Sequence, residues 1–144
     1  MHTNPSDEQL RQLLVDADII AMVGASSDPE KPSHGIMRKL QQVGYRVIPV
    51  NPRETEVLGE QAYGALEEIP DPVDIVDVFR RPEDTPPIAD QAVRVGAKAI
   101  WLQIGISNDE TAARAEAGGL LAVMDTCIAV THTLLRIPKK TSST

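Results

Sequence analysis

The chain has 144 residues, 42% of them hydrophobic but only 3% aromatic, and a formal net charge of −7. This length suits one domain with a core of its own, and the hydrophobic fraction excludes wholesale disorder. The acidic balance argues against a nucleic-acid backbone or an anionic membrane as the main partner, yet a small anionic ligand can still be held by a few converging cations.

With so few aromatics, the core is expected to be Val, Ile, Leu and Ala, the residues of a buried parallel sheet. The single cysteine, Cys127, excludes an intramolecular disulfide and a multi-cysteine metal site. No apolar run approaches the ~20 residues of a membrane helix. The polar, acidic stretch from Met1 to Gln9 has no features of a signal peptide, so a cytoplasmic protein is expected.

Residues 6–16 read as a helix: Ser6 is placed as N-cap, Gln9 completes a capping box, and Leu10, Leu13 and Leu14 share a face. Residues 18–23 form an apolar run ending at Gly24, the pattern of a buried strand. The segment GASSDPEKPSHG is a loop by composition. A helix is expected from His34 to Val43, with Ile36, Met37 and Leu40 inward and Gly44 ending it. Residues 45–50 read as a second strand, where Pro49 predicts poor pairing or a place near an edge. A turn follows at Asn51-Pro52-Arg53, then an excursion over 54–72 with one helical turn near Leu66.

Residues 73–79 are the third strand. Pro82 suits the first turn of a helix running to about Val95 and ended by Gly96, although Pro86 and Pro87 leave its start open. Residues 98–102 are the fourth strand. Asn108 and Asp109 open a helix to Ala117 that Gly118-Gly119 stops. Residues 120–124 are the fifth strand, and a last helix runs from about Thr126 to Leu135. The tail from Pro138 is expected to fray.

Five alternations of strand and helix specify an α/β protein: a single Rossmann-like domain with an open parallel sheet of about five strands and helices on both faces. The expected division is an N-terminal helical segment (1–17) packed on the domain, the domain itself (18–137) and a polar tail (138–144). Such sheets bind ligands beyond the carboxyl ends of their strands. The loops of interest therefore begin at Gly24, Asn51, Arg80, Gln103 and Asp125.

In the first loop, Gly24 follows the strand and Gly35 lies near the next helix start. This resembles a phosphate-cradling turn, with Ser26, Ser27 and Lys31 adding hydroxyl donors and a cation. It matches neither G-x-G-x-x-G nor a Walker sequence, and an ordinary strand-to-helix loop is the bland alternative. In the second loop, a NAD-binding domain would present an acid to the ribose hydroxyls. Here the order is Val50-Asn51-Pro52-Arg53, with no carboxylate until Glu54. An arginine there suits a phosphorylated ribose, as in coenzyme A or NADP, or is simply solvated. In the third loop, Arg80 and Arg81 follow Phe79 and either contact a ligand or are neutralised by Glu83 and Asp84.

Cys127 sits near a helix N-terminus, where a thiolate is favoured. His132 lies five residues on, ~140° around a helix from it, so the two make a poor nucleophilic pair and an inert thiol is expected. His34 could cap its helix or touch a phosphate, but alone it makes no metal site. Glu67, Glu68 and Asp71 are read as solvated, and Trp101 as core or subunit interface.

Together, Val23-Gly24-Ala25-Ser26, Asp28-Pro29, Lys31, Gly35, Val50-Asn51-Pro52-Arg53 and Leu58-Gly59 resemble the coenzyme A-binding domain family. This is the fold of the N-terminal domain of the succinyl-CoA synthetase α-subunit. Val78 to Glu83 and Trp101 to Ile106 resemble a bacterial branch of stand-alone CoA-binding proteins, and the likeness spans about residues 10–137.

The resemblance implies coenzyme A or an acyl-CoA across the strand ends, held by a carrier, sensor or regulatory module. Gly24, Ala25, Ser26, Ser27, Lys31 and Gly35, with His34 nearby, would meet phosphates or pantetheine. Asn51, Pro52 and Arg53 would meet the nucleotide end. Phe79, Arg80 and Arg81, with Ile104 and Gly105, would line the remaining wall. The branch often has an acid four residues after the cysteine, where Thr131 stands here. The synthetase keeps its phosphorylated histidine in a following domain and its nucleotide site in another subunit. No independent catalytic activity is therefore expected of this chain, and a partner protein could supply chemistry. An NADP-linked oxidoreductase and an acyl-transfer or redox enzyme using Cys127 stand as the alternatives. A homodimer is the default oligomer.

Overall fold

The computed structural model describes residues 2–140. Its elements run α1 (Asp7–Asp16), β1 (Ile19–Val23), α2 (Pro32–Gln42), β2 (Arg46–Val50), β3 (Glu56–Val57), β4 (Glu60–Gln61), β5 (Ile75–Val78), α3 (Pro86–Arg94), β6 (Ala99–Leu102), α4 (Asp109–Ala117), β7 (Leu121–Val123) and α5 (Ile128–Leu134). Short 3-10 turns cover Leu66–Glu68 and Pro82–Asp84. Five strands form one parallel sheet in the order β2-β1-β5-β6-β7. This is a single α/β domain with a Rossmann-like sheet.

The strands bury both faces, so alternate residues feed two cores. Ile20, Met22, Val47, Ile75 and Trp101 pack with Leu10, Leu13 and Leu14 of α1, Met37 and Leu40 of α2 and Ile128 of α5. Ala21, Val23, Val76, Val78 and Ile100 pack on the other side with Ile88, Ala89 and Ala92 of α3 and Ala112 and Ala115 of α4. From β1 the chain steps outward to β2, crosses back over β1 to β5, and continues to β6 and β7. That reversal opens a crevice beyond the carboxyl ends of β1 and β5.

Local signals hold in several places. The Ser6 capping box forms, and Asn108 caps α4 by accepting from the Thr111 N–H at 3.0 Å. Pro49 lies on the edge strand. Its carbonyl faces outward to accept from the Tyr63 N–H at 3.0 Å, so the missing proline donor is also on the side away from β1.

Four expectations need correction. First, α2 starts at Pro32 rather than His34, because proline's fixed φ favours the first helical position; Gly35 is therefore inside the helix. Second, the helix expected from Pro82 divides at Thr85 into a 3-10 turn and α3. The Thr85 hydroxyl donates to the Pro82 carbonyl (2.8 Å) and lies 2.6 Å from that of Thr111. Third, the 54–72 excursion contains the β3–β4 hairpin, turned by Leu58 and Gly59 at φ 48° and 83°.

Fourth, residues 138–140 do not fray. The Lys140 N–H donates to Val43 (2.8 Å), and its ammonium donates to the Val15 carbonyl (2.7 Å) and lies over the Tyr45 ring. The remainder of the expected tail, 141–144, lies outside the described residues. Among the described residues no helix is long and apolar enough to cross a membrane.

Candidate functional site

Backbone hydrogen bonds tie three strand tips together. The Gly24 N–H donates to Val50 (2.9 Å), and the Phe79 N–H donates to Val23 (2.8 Å). Gly24 has φ 89°, and a Cβ there would stand 2.3 Å from the Phe79 carbonyl oxygen. Only glycine allows this approach of β1 to β5. The Asn51 side chain joins the first and second loops: its amide donates to the Ala25 carbonyl (2.9 Å), and its oxygen accepts from the Arg53 N–H (3.0 Å).

These loops enclose a cleft of about 870 Å³, within the usual range for small-molecule sites. Lys31, Arg53 and Arg80 line it. None of the three takes part in a salt bridge among the described residues. Arg81 also lines it but is paired with Asp84 at 3.0 Å. The start of α2 contributes Pro32 and the buried Ser33, with no side-chain cap and no acid in its first turn. The positive end of its dipole therefore adds to the positive potential.

The first carboxylate after β2 is not presented to a ligand. Glu54 accepts from the Ser27 N–H (2.8 Å) and from its hydroxyl (2.8 and 3.0 Å). Elsewhere the Cys127 thiol is at the N-cap of α5 without a capping hydrogen bond. His132 is buried edge-on against Tyr45. Burial, with Lys39 and Lys140 nearby, pushes the imidazole below its ordinary range. The Cys127 and His132 side chains share no hydrogen bond.

A CoA binding domain model matches residues 18–133. The chain belongs to this CoA binding domain family. It is 38% identical over 133 residues to the uncharacterized protein YneT of Bacillus subtilis, covering 92% of this chain and 98% of that one. A hypothetical protein from Pyrococcus horikoshii OT3 has the same fold, with a TM-score of 0.89 and 37% identity over 94% of this chain and 99% of that one. A 57-residue stretch is 46% identical to the alpha subunit of the ADP-forming acetate–CoA ligase II of Pyrococcus furiosus, covering 39% of this chain and 12% of that subunit.

In this CoA binding domain the cleft gathers most of the expected residues: Gly24, Ser26, Lys31, Asn51, Pro52, Arg53, Phe79, Arg80 and Arg81. Other candidates lie elsewhere. Ala25 and His34 are buried, Ser27 is engaged by Glu54, and Gly35 is on the outer side of α2. Ile104 is 70% exposed, and the Gly105 N–H is taken by Asp125 (2.7 Å), while Ile106 lines the cleft instead. Pro32, Ser33, Pro82 and Asp84 also line it and were not anticipated. The earlier helix start accounts for the first two.

Asp77 was not anticipated either. It is fully buried in β5, beside Met22 and Trp101 in register, and neither carboxylate oxygen has a hydrogen-bond partner among the described residues. Burial holds its carboxyl well above the usual range, so the neutral acid is favoured. Asp74, three residues earlier, behaves oppositely. Burial raises it, but the Ile19 and Asp18 N–H groups and Lys98 outweigh that and lower it.

Proposed function

We propose that this domain binds coenzyme A or an acyl-CoA across the carboxyl ends of β1, β2 and β5, as a carrier, sensor or regulatory module. The observation that carries the reading is the convergence of unpaired Lys31, Arg53 and Arg80 on one cleft in a chain of net charge −7. Isolated cations at the switch point of a parallel sheet are suited to phosphates. Arg53, beyond β2, would take the 3′-phosphate of the nucleotide. Lys31, Arg80 and the start of α2 would take the diphosphate. The ligase relative is named as a subunit, which supports a role in which another chain supplies the chemistry.

Isothermal titration of CoA, dephospho-CoA and NADPH tests this reading, with native mass spectrometry of freshly purified protein. A charge-assisted contact to the 3′-phosphate should make CoA bind roughly 10–100-fold tighter than dephospho-CoA. Arg53→Ala should remove most of that difference. Equal affinity for the two ligands overturns the role of Arg53, and no CoA binding overturns the reading itself. Preference for NADPH over CoA would transfer the site to the oxidoreductase alternative.

A further inference from the structure

The contact between Glu54 and Ser27 is unusual in its chemistry. Both donors of one loop residue, a backbone N–H and a hydroxyl, are satisfied by a single carboxylate from another loop. This is how a loop following the first strand would hold an oxyanion of a ligand. Neither partner lines the cleft itself, but each adjoins a residue that does: Ser26 precedes Ser27 and Arg53 precedes Glu54. Glu54 has no salt bridge among the described residues, although Arg53 is its neighbour. Its charge is therefore held by Ser27 rather than cancelled by a cation.

We infer that Glu54 is an internal anion, occupying donors that a ligand phosphate takes over when it binds. This rests on the phosphate-binding reading of the cleft and adds a device that sets its affinity. An incoming phosphate must displace a carboxylate from two hydrogen bonds and lies close to its charge while doing so. Both effects weaken anion binding. The released carboxylate would swing outward with the β2 loop, so ligand binding would also loosen the link between the first and second loops. The alternative role is positional, with Glu54 merely bracing the Ser27 loop in a shape the ligand needs. The two roles give opposite signs on substitution.

Glu54→Gln keeps an oxygen acceptor for Ser27 but removes the charge. If Glu54 competes with the ligand, this variant should bind CoA about tenfold tighter, the scale of one lost charge-assisted interaction. Pantetheine, which lacks phosphate, should bind wild type and variant equally. If Glu54 braces the loop, Glu54→Gln should be near neutral and Glu54→Ala should bind CoA more weakly.

Inorganic pyrophosphate is titrated into the same proteins, so that the outcome does not depend on CoA being the ligand. Tighter pyrophosphate binding by Glu54→Gln supports the inference even if neither protein binds CoA, in which case only the CoA reading fails. Equal or weaker binding of pyrophosphate by the variant overturns the inference, whatever CoA does. Thermal unfolding of each variant confirms that the comparison is between folded proteins.

Discussion

Replacing Asp77 by Asn tests whether the sheet really holds a neutral acid at its centre. The folded protein binds the Asp77 proton more tightly than the unfolded chain does, because burial disfavours the carboxylate and nothing compensates it. Stability from this group is therefore complete below pH ~4, the ordinary carboxylate range, and is lost as pH rises through the higher folded value. Within that window one extra proton in the folded state gives a slope of about −1.4 kcal/mol per pH unit. For a domain near this size, that is roughly 3–6 °C in Tm per pH unit.

Asparagine cannot ionise, so Asp77→Asn should lack this slope. Its buried amide is still unpartnered and costs ~1–3 kcal/mol, but by the same amount at every pH. His132 and Asp74 are lowered on folding, so their stability is lost as pH falls and runs against the Asp77 trend in acid. The useful quantity is therefore the difference between wild type and Asp77→Asn, in which those contributions cancel. Urea unfolding at half-unit steps from pH 4 to pH 8 measures it. The variant should gain on wild type as pH rises. A difference that stays constant across the range would refute the argument that Asp77 is buried without a partner.

Two further outcomes follow from the geometry. Gly24→Ala forces a side chain onto a backbone at φ 89° and against the Phe79 carbonyl; strain and overpacking together should cost about 2–5 kcal/mol in urea unfolding. Wild-type stability in this variant would mean that β1 and β5 do not meet as described. Cys127→Ala removes a thiol that makes no capping hydrogen bond and does not line the cleft. CoA affinity by calorimetry should stay within about twofold, roughly 0.4 kcal/mol, and a larger loss would restore the thiol to the site.

What the sequence disclosed depended on the range of the interactions involved. The five core strands were visible as apolar runs because each buries both faces, so no partner had to be known. The cap at Ser6 was equally local. The β3–β4 hairpin was hidden because its strands have two residues each and its turn puts Leu58, not glycine or asparagine, at φ 48°. The docking of Lys140 on Val15 and Tyr45 joins the two ends of the chain and leaves no local trace.

The site divides in the same way. Gly24, Lys31, Arg53 and Arg80 were found because loops after parallel strands converge in any sheet of this order. The engagement of Ser27 by Glu54 required knowing how close two loops come. Asp77 could have been flagged as a charge inside an apolar strand. Whether it had a partner, as Asp74 does, was fixed only by the neighbouring strands.

The acidic balance of the chain and the anionic ligand proposed for it are reconciled by where the charges are cancelled. Arg46 meets Asp71 and Glu60, Arg94 meets Glu67, Lys98 meets Asp74, and Arg114 meets Asp90 and Glu110. Those cations contribute little field of their own. Among the described residues Lys31, Arg53 and Arg80 have no such partners; Arg11, Arg38, Lys39, Arg136 and Lys139 are likewise outside salt bridges, but only those three meet at the cleft. At physiological salt the screening length is about 8 Å, and distant carboxylates are largely invisible to a phosphate inside the cleft. The net charge therefore opposes the approach of an anion more than its final binding. Under the proposed reading, affinity for a phosphate would be set by the three cations, the start of α2 and the carboxylate of Glu54, next to Arg53. Asp84 also lines the cleft but is paired with Arg81, whereas Glu54 has no salt bridge among the described residues, and a single substitution removes its charge while leaving every cation in place.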